Sequence, residues 1–297
     1  MPRRKARPTM EDQMERLFYP DGNIAFLDAE FNAGMNPHTK EKISEIISIG
    51  IIFCDKEYNG IKKYYTLVSP LTQTKVFPMI SNMTGITTEM LKDQPTFAEM
   101  SAKVTELVRK YDVKKIYTWG AADKHSLLLE RDALKEKKLS GHQAANKWSY
   151  MEICTDISGL ISGQMLGIRG GLSINMENLM FLCDIDKRQE HNALSDAYYL
   201  YKCMQYLRGY FPQEKQDREF KKKQELVNRY YQERSLYNSF RRFRSSTKGC
   251  DLYRKWGNKS YEDDIRLKAF EDDLKFLKGE IPYDMEFDTI QEYFQKN

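Results

Sequence analysis

The chain has 297 residues, 47 Lys/Arg against 43 Asp/Glu, and 41% hydrophobic and 12% aromatic residues. That composition excludes a disordered chain and a uniformly polyanionic or polycationic one, and the length suits two compact domains or one large domain with an extension. No apolar run approaches the roughly 18 residues of a transmembrane helix, so no membrane partner is expected. The basic start (Arg3, Arg4, Lys5, Arg7) has no apolar region behind it and does not read as a secretory signal. Cys54, Cys154, Cys183, Cys203 and Cys250 are odd in number, far apart and without a C-x-x-C pair. They argue against a disulfide framework or zinc cage and for a reducing, cytoplasmic setting.

In chain order, residues 1–22 are polar and charged and read as a basic N-terminal arm. Ile24-Ala25-Phe26-Leu27 is a short apolar run of the kind a buried strand makes, ending at Asp28-Ala29-Glu30. Further strands are expected at Ile46–Phe53 and Tyr64–Val68, with Asn59-Gly60 between them as a hairpin turn. Residues 32–42, with Gly34, Pro37 and His38, read as a loop that could cover a site. Thr96 and Glu99 form a capping box that opens an amphipathic helix to about Tyr111. Val113–Trp119 is the next strand, Ala121–Lys138 a charged helix and Met151–Cys154 the last strand. Helical segments follow near 156–166 and 174–182, then a strong helix over Leu194–Leu207.

Hairpin-linked strands followed by alternating helix and strand do not make a doubly wound dinucleotide fold. G-x-G-x-x-G after the first strand and G-x-x-x-x-G-K-[ST] are both missing. The expected class is α/β: a ribonuclease-H-like mixed five-stranded sheet flanked by helices, over residues 23–210. Residues 211–297 read as a charged, mainly helical C-terminal extension. Its first part, 211–259, holds 14 Lys/Arg against 6 Asp/Glu, and 260–297 holds 5 against 11.

Three signals carry chemistry. Asp28 and Glu30, two apart in a strand, share a face, and two like charges there are costly without a cation. Hard divalent ions accept such oxygen ligands. His191 and Asp196 lie at the entry to the strong helix and can face one pocket. Asp123 follows Trp119-Gly120 at the start of another helix, where it can also serve the helix dipole. Taken singly, each has a structural reading: an acidic loop, a solvated cap, a dipole partner.

Together, D-x-E after the first strand, Asp after a W-G turn and H-x-x-x-x-D opening the last helix resemble the DEDDh 3′–5′ exonucleases. Thr84-Gly85-Ile86-Thr87, preceding Glu89-Met90-Leu91, resembles that family's T-G-I-T segment. The likeness spans roughly residues 23–208, and Trp119-Gly120 and the spacing look most like the Eri-type and KapD-type members, many of which act on RNA. The resemblance implies a hydrolase that removes nucleoside 5′-monophosphates from single-stranded 3′ ends, RNA ahead of DNA, using two divalent metal ions, Mg²⁺ or Mn²⁺. Asp28, Glu30, Asp123 and Asp196 would hold the metals, with Asp28 bridging, Glu30 and Asp196 on the nucleophile side and Asp123 acting through water. His191 would be the general base. Asn192 occupies the position where a related group carries Tyr, which indicates the histidine version. The alternatives are a DNA proofreading or repair exonuclease with the same site, and a non-catalytic nucleic-acid-binding regulator on this scaffold. The second is disfavoured because all five site residues are present.

By the same resemblance, Ile86 would pack on the terminal base, with Thr84 and Gly85 shaping the turn, Ala29 approaching the terminal sugar through its backbone and Phe31 stacking on the nucleotide or packing in the core. Trp119 is expected to pack, and His125 to be solvated. Gly167-Ile168-Arg169-Gly170-Gly171 reads as a connection. Arg241-Arg242-Phe243-Arg244, with Tyr230, Tyr231, Tyr237 and Phe240, interleaves charge with aromatic faces. That suits either a nucleic-acid strand or packing onto the catalytic domain. Acidic residues such as Asp263, Asp264, Asp272 and Asp273 could pair with this basic half, and the extension as a whole could receive a protein partner.

Overall fold

A computed structural model describes residues 9–35, 40, 42–139, 141–164, 173–185, 192–210, 220–225, 227–228 and 231. Helix α1 (Met10–Phe18) is followed by β1 (Asn23–Met35), β2 (Lys42–Cys54) and β3 (Gly60–Leu67). Then come α2 (Pro78–Thr84), α3 (Phe97–Lys110), β4 (Val113–Thr118), α4 (Ala122–Glu136), β5 (Cys154–Asp156), α5 (Ser158–Gln164), α6 (Met176–Leu182) and α7 (Ala193–Tyr210). The five strands form one mixed sheet in the order β3-β2-β1-β4-β5. β2 pairs antiparallel with β1 and β3, whereas β4 pairs parallel with β1 and β5. This is the mixed, helix-flanked sheet expected from the chain order of the motifs.

Alternation along the strands sorts side chains onto two faces. Ile24, Phe26, Ile52 and Cys54 join Met14, Leu17 and Phe18 of α1, Leu179 of α6 and Leu200, Met204 and Leu207 of α7 in one core. Ala25, Leu27, Ile49, Ile51 and Phe53 face the other way, onto Phe97, Met100 and Val104 of α3 and Leu127 and Leu134 of α4. α3 begins where the capping box predicts: Thr96 Oγ1 accepts from the Glu99 N–H at 3.3 Å, and the Glu99 carboxylate accepts from the Thr96 N–H at 2.8 Å. Its buried positions (Phe97, Met100, Val104, Leu107, Val108) repeat at helical spacing.

The structure differs from the sequence reading in several places. The stretch read as an arm contains α1, opened by a Thr9–Asp12 capping box and burying Met14, Leu17 and Phe18. Three apolar positions on one face of an otherwise charged nine-residue helix are a weak signal until a core receives them. Of the residues read as loop, 32–35 and 42 are strand. They prolong the β1–β2 hairpin, from Asn32 opposite Glu45 to Met35 opposite Lys42, beyond a register shift at Glu30/Phe31. The β2–β3 turn is not centred on Asn59-Gly60 but runs through Asp55–Asn59, with Asp55 Oδ1 accepting from the Glu57 and Asn59 N–H groups. The left-handed residue is Tyr58 (φ 65°), because its ring is buried and its hydroxyl donates to the Leu17 carbonyl. The last strand starts at Cys154, and two short 3₁₀ turns occupy Ala145–Lys147 and Ser149–Met151.

The first described part of the extension belongs to the core. Phe220 packs against the rings of Tyr206 and Tyr210, and Lys223 pairs with Asp184. The buried Tyr231 hydroxyl accepts from Asn175 N–H at 2.8 Å and Asn178 Nδ2 at 3.2 Å. The Arg241–Arg244 cluster, Tyr230, Tyr237, Phe240, the acidic stretch and Gly167–Gly171 lie outside the described residues.

Candidate active site

The site lies beside β1 where α7 enters. Asp28 and Glu30 are two apart on β1 and point to the face that α7 covers, as alternation requires. Asp196 stands in the first turn of α7. One oxygen from each of Asp28, Glu30 and Asp196 lies within 4.8 Å of the others.

Two local features let α7 come so close. Gly50 is paired directly with Asp28 across β1 and β2. A Cβ at this glycine would overlap the Ala193 carbonyl and the Leu194 nitrogen, so only a bare backbone lets the helix start rest on the strand. Asn192 then caps the helix: its Oδ1 accepts from the N–H groups of Leu194 (3.1 Å) and Ser195 (3.2 Å), and its carbonyl accepts from Asp196 N–H (2.9 Å).

Asp123 reaches the same place from the opposite layer. It lies buried in the first turn of α4, after the turn at Gly120, which adopts φ 110°. Asp123 Oδ1 accepts from the Ala29 N–H at 3.1 Å, which ties α4 to the strand between the two carboxylates. Asp156, at the end of β5, holds the preceding turn by accepting from Gly120 N–H at 2.9 Å and Ser158 N–H at 2.9 Å. The sequence reading passed over Asp156, which positions rather than joins the cluster.

The electrostatics fit a cation. Burial pushes Asp28 well above the ordinary carboxylate range, and the charges of Asp123, Asp196 and Glu30 push it further. Burial, then Asp196, raises Glu30 to about 7. Burial also raises Asp123 to about 7 against the opposing hydrogen bond from Ala29. Every influence on Asp28 is unfavourable to its charge, so the all-oxygen cluster is an arrangement that a hard divalent ion would relieve. Of the residues expected here, Asp28, Glu30 and Asp196 are brought together with Asp123 against them. His191 lies outside the described residues.

The expected substrate contacts divide. Phe31 is half-buried against the α3/α4 core. The backbone N–H of Ala29 is committed to Asp123. Gly85 ends α2 in the left-handed conformation (φ 71°), with its N–H on the Ser81 carbonyl, and Thr84 Oγ1 donates to Ile80 and accepts from Ile86 N–H. Ile86 itself is buried with Ile47, Ile80 and Leu91. Trp119 packs as expected, its indole N–H donating to Ile174 at 2.9 Å, and His125 is exposed.

The sequence reading missed three further groups besides Asp156. Asn32 and Glu45 are buried and pin the chain before α2: Asn32 Nδ2 donates to Lys75 (3.0 Å) and its Oδ1 accepts from Phe77 N–H, while Glu45 accepts from the N–H groups of Leu71, Thr72 and Gln73. Tyr65 on β3 extends toward Glu30, Ser48 and Asn192. Only Gly50 advertised itself, as a glycine inside an isoleucine-rich strand.

A family model described as exonuclease (RNase_T) matches residues 25–204. No curated protein matches the chain. Among solved structures, a 3′-exonuclease in 3′-end specific recognition of a histone mRNA stem-loop is similar at 15% identity, with a TM-score of 0.53 over 67% of this chain and 68% of that one. The nuclease domain of 3′hExo, a DEDDh family member bound to rAMP, is similar at 17% identity and a TM-score of 0.48 over 62% and 90%. An E. coli exonuclease I–single-stranded DNA complex is similar at 17% identity and a TM-score of 0.48, over 73% of this chain but 45% of that one. At these identities the structural likeness is one of fold. The family match covers more than half of the chain and includes Asp28, Glu30, Asp123 and Asp196, and the chain belongs to the exonuclease family.

Proposed function

We propose that this protein is a metal-dependent 3′–5′ exonuclease that hydrolyses phosphodiester bonds at the 3′ ends of single-stranded nucleic acid and releases nucleoside 5′-monophosphates. The observation that carries the reading is the meeting of Asp28, Glu30 and Asp196 within 4.8 Å, where burial and the neighbouring carboxylates hold Asp28 well above the ordinary carboxylate range. Family membership supports the reaction class, and the DEDDh-like order of motifs supports the 3′–5′ polarity. RNA is placed ahead of DNA on the likeness of Trp119-Gly120 and its spacing to the Eri-type and KapD-type members.

When bound, two divalent ions would supply a nucleophilic water at neutral pH and neutralise charge on the reacting phosphate. Asp28, Glu30 and Asp196 would hold them directly, with Asp123 acting through water. Asp123 also keeps its bond to Ala29, which fixes the strand carrying Asp28 and Glu30. His191 directly precedes the Asn192 cap, and on the resemblance it takes the proton of the attacking water.

The test is an oligonucleotide assay with matched RNA and DNA strands labelled at the 5′ end, Mg²⁺ or Mn²⁺, and wild type beside Asp28→Ala. A ladder of shortened products that the variant does not make supports the reading. Internal cuts, loss of label without a ladder, or an unchanged Asp28→Ala pattern overturn it.

A further inference from the structure

β3 is the edge strand of the sheet, and two of its residues stand in rows that end on the carboxylates. Tyr65 pairs with Gly50, which pairs with Asp28; Leu67 pairs with Ser48, which pairs with Glu30. Directly paired residues in an antiparallel ladder project on the same face, so Tyr65 projects on the face that carries Asp28, Glu30 and the start of α7. Two strand spacings, about 10 Å, separate Tyr65 from Asp28. The residue between them is Gly50, which has no side chain to block the approach. The phenol therefore extends over the sheet, near Ser48 and Asn192 and close enough to feel the charge of Glu30. It is 38% exposed, so it borders the opening of the cluster rather than the core.

The chemistry of Asn192 decides what the Tyr65 hydroxyl can do. Both lone pairs of Asn192 Oδ1 are taken, by the N–H groups of Leu194 and Ser195. Only the Nδ2 amide is left to face a phenol, and it can only donate. A bond from that amide would make Tyr65 Oη the acceptor and leave the proton of the phenol for the side where Glu30 stands.

We propose that Tyr65 is a positioning residue of this site: its hydroxyl joins the edge strand to the Asn192 cap of α7 and so sets where Asp196 stands relative to Glu30. The proposal rests on reading the cluster as a metal-dependent nuclease site. Groups that orient metal ligands in this way typically cost 10- to 100-fold in metal affinity or activity when removed.

The test uses the full chain, with Tyr65→Phe, Asn192→Ala and the double variant. Mn²⁺ affinity is measured by calorimetry, and kcat and KM on a 5′-labelled strand. Tyr65→Phe keeps the ring and removes only the hydroxyl. The expected result is a Mn²⁺ dissociation constant and a kcat each worse by about 10-fold, with KM unchanged. Asn192→Ala should give a similar Mn²⁺ defect, and the double variant should be no worse than either single one, because the two act as one unit. Wild-type Mn²⁺ affinity in Tyr65→Phe, a loss confined to KM, or defects that multiply in the double variant would each overturn the proposal. A wild type that binds Mn²⁺ but shortens no strand defeats the nuclease reading instead, and the Mn²⁺ affinities alone then decide the role of Tyr65.

Discussion

Gly50 and Ala193 touch backbone to backbone: the strand that pairs with Asp28 is bare at the point where α7 begins. The contact places the first turn of the helix, and with it Asp196, against Asp28 and Glu30. A cluster that joins Asp196 to two strand residues 166 and 168 positions earlier in the chain thus depends on the absence of one methyl group.

Gly50→Ala should therefore injure stability and site together. Overpacking of this kind costs about 1–3 kcal/mol, since neither the strand nor the helix start can yield without breaking its own hydrogen bonds. Urea unfolding should show that loss, and Mn²⁺ affinity should fall with it. A variant as stable as wild type with unchanged Mn²⁺ affinity would show that α7 can move off the strand freely.

Removing a carboxylate should separate function from stability. The cluster holds like charges in a buried place, so Asp28→Asn should raise the melting temperature of the chelated protein near pH 8 while lowering nuclease activity by roughly 10³-fold or more, the scale of several kcal/mol of lost metal-assisted stabilisation. Thermal melts with a chelator and a single-strand shortening assay, run on the same preparation, check both halves.

Metal should stabilise the wild type and not that variant. An ion that binds only the folded state adds about 2.7 kcal/mol at 100 times its dissociation constant. Melting temperature should climb with added Mn²⁺ in wild type, fall back on chelation, and stay flat across the titration in Asp28→Asn. A flat wild-type titration would count against the cluster as a metal site.

Glu130 gives a pH dependence that is independent of the Asp28–Glu30–Asp196 cluster. It is buried on α4 and accepts a hydrogen bond from Ile46 N–H. Burial, reinforced by Glu45, pushes it from 4.5 to about 8. Between those values the folded protein keeps a proton that the unfolded chain has lost. The associated stability is complete below pH 4.5 and is lost as pH rises through about 8. Glu130→Gln should flatten the decline in unfolding free energy across this window by up to about 1.4 kcal/mol per pH unit. Urea unfolding at pH 5.5, 7 and 8.5 measures it.

Tyr231 ties the start of the extension to the catalytic domain through one hydroxyl. Tyr231→Phe leaves Asn175 N–H and Asn178 Nδ2 without that acceptor, at a cost of about 1–3 kcal/mol. Chemical unfolding of the full chain should register that loss, with the nuclease site unaffected because the contact lies on α6.

Local patterns in the sequence determined most of the elements, because they depend on near neighbours. The apolar run at Ile24–Leu27, the Thr96–Glu99 box and the alternation that puts Asp28 and Glu30 on one face all need only a few residues to be read. The order of acidic motifs also carried the family: Asp28 and Glu30 share one face of β1, and Asp123 and Asp196 each stand in the first turn of a helix. What only the tertiary structure decided are the relationships that cross the sheet. Met14, Leu17 and Phe18 make α1 a core element only once α5 and the core shared with it receive them. Tyr58 takes a left-handed turn position because a buried site exists for its ring. Gly50 matters only when a helix lies on it, and Tyr65 enters the site only because β3 pairs in one register and not the next. A one-residue slip would turn Tyr65 to the opposite face, and nothing within the strand itself reveals which register the sheet selects.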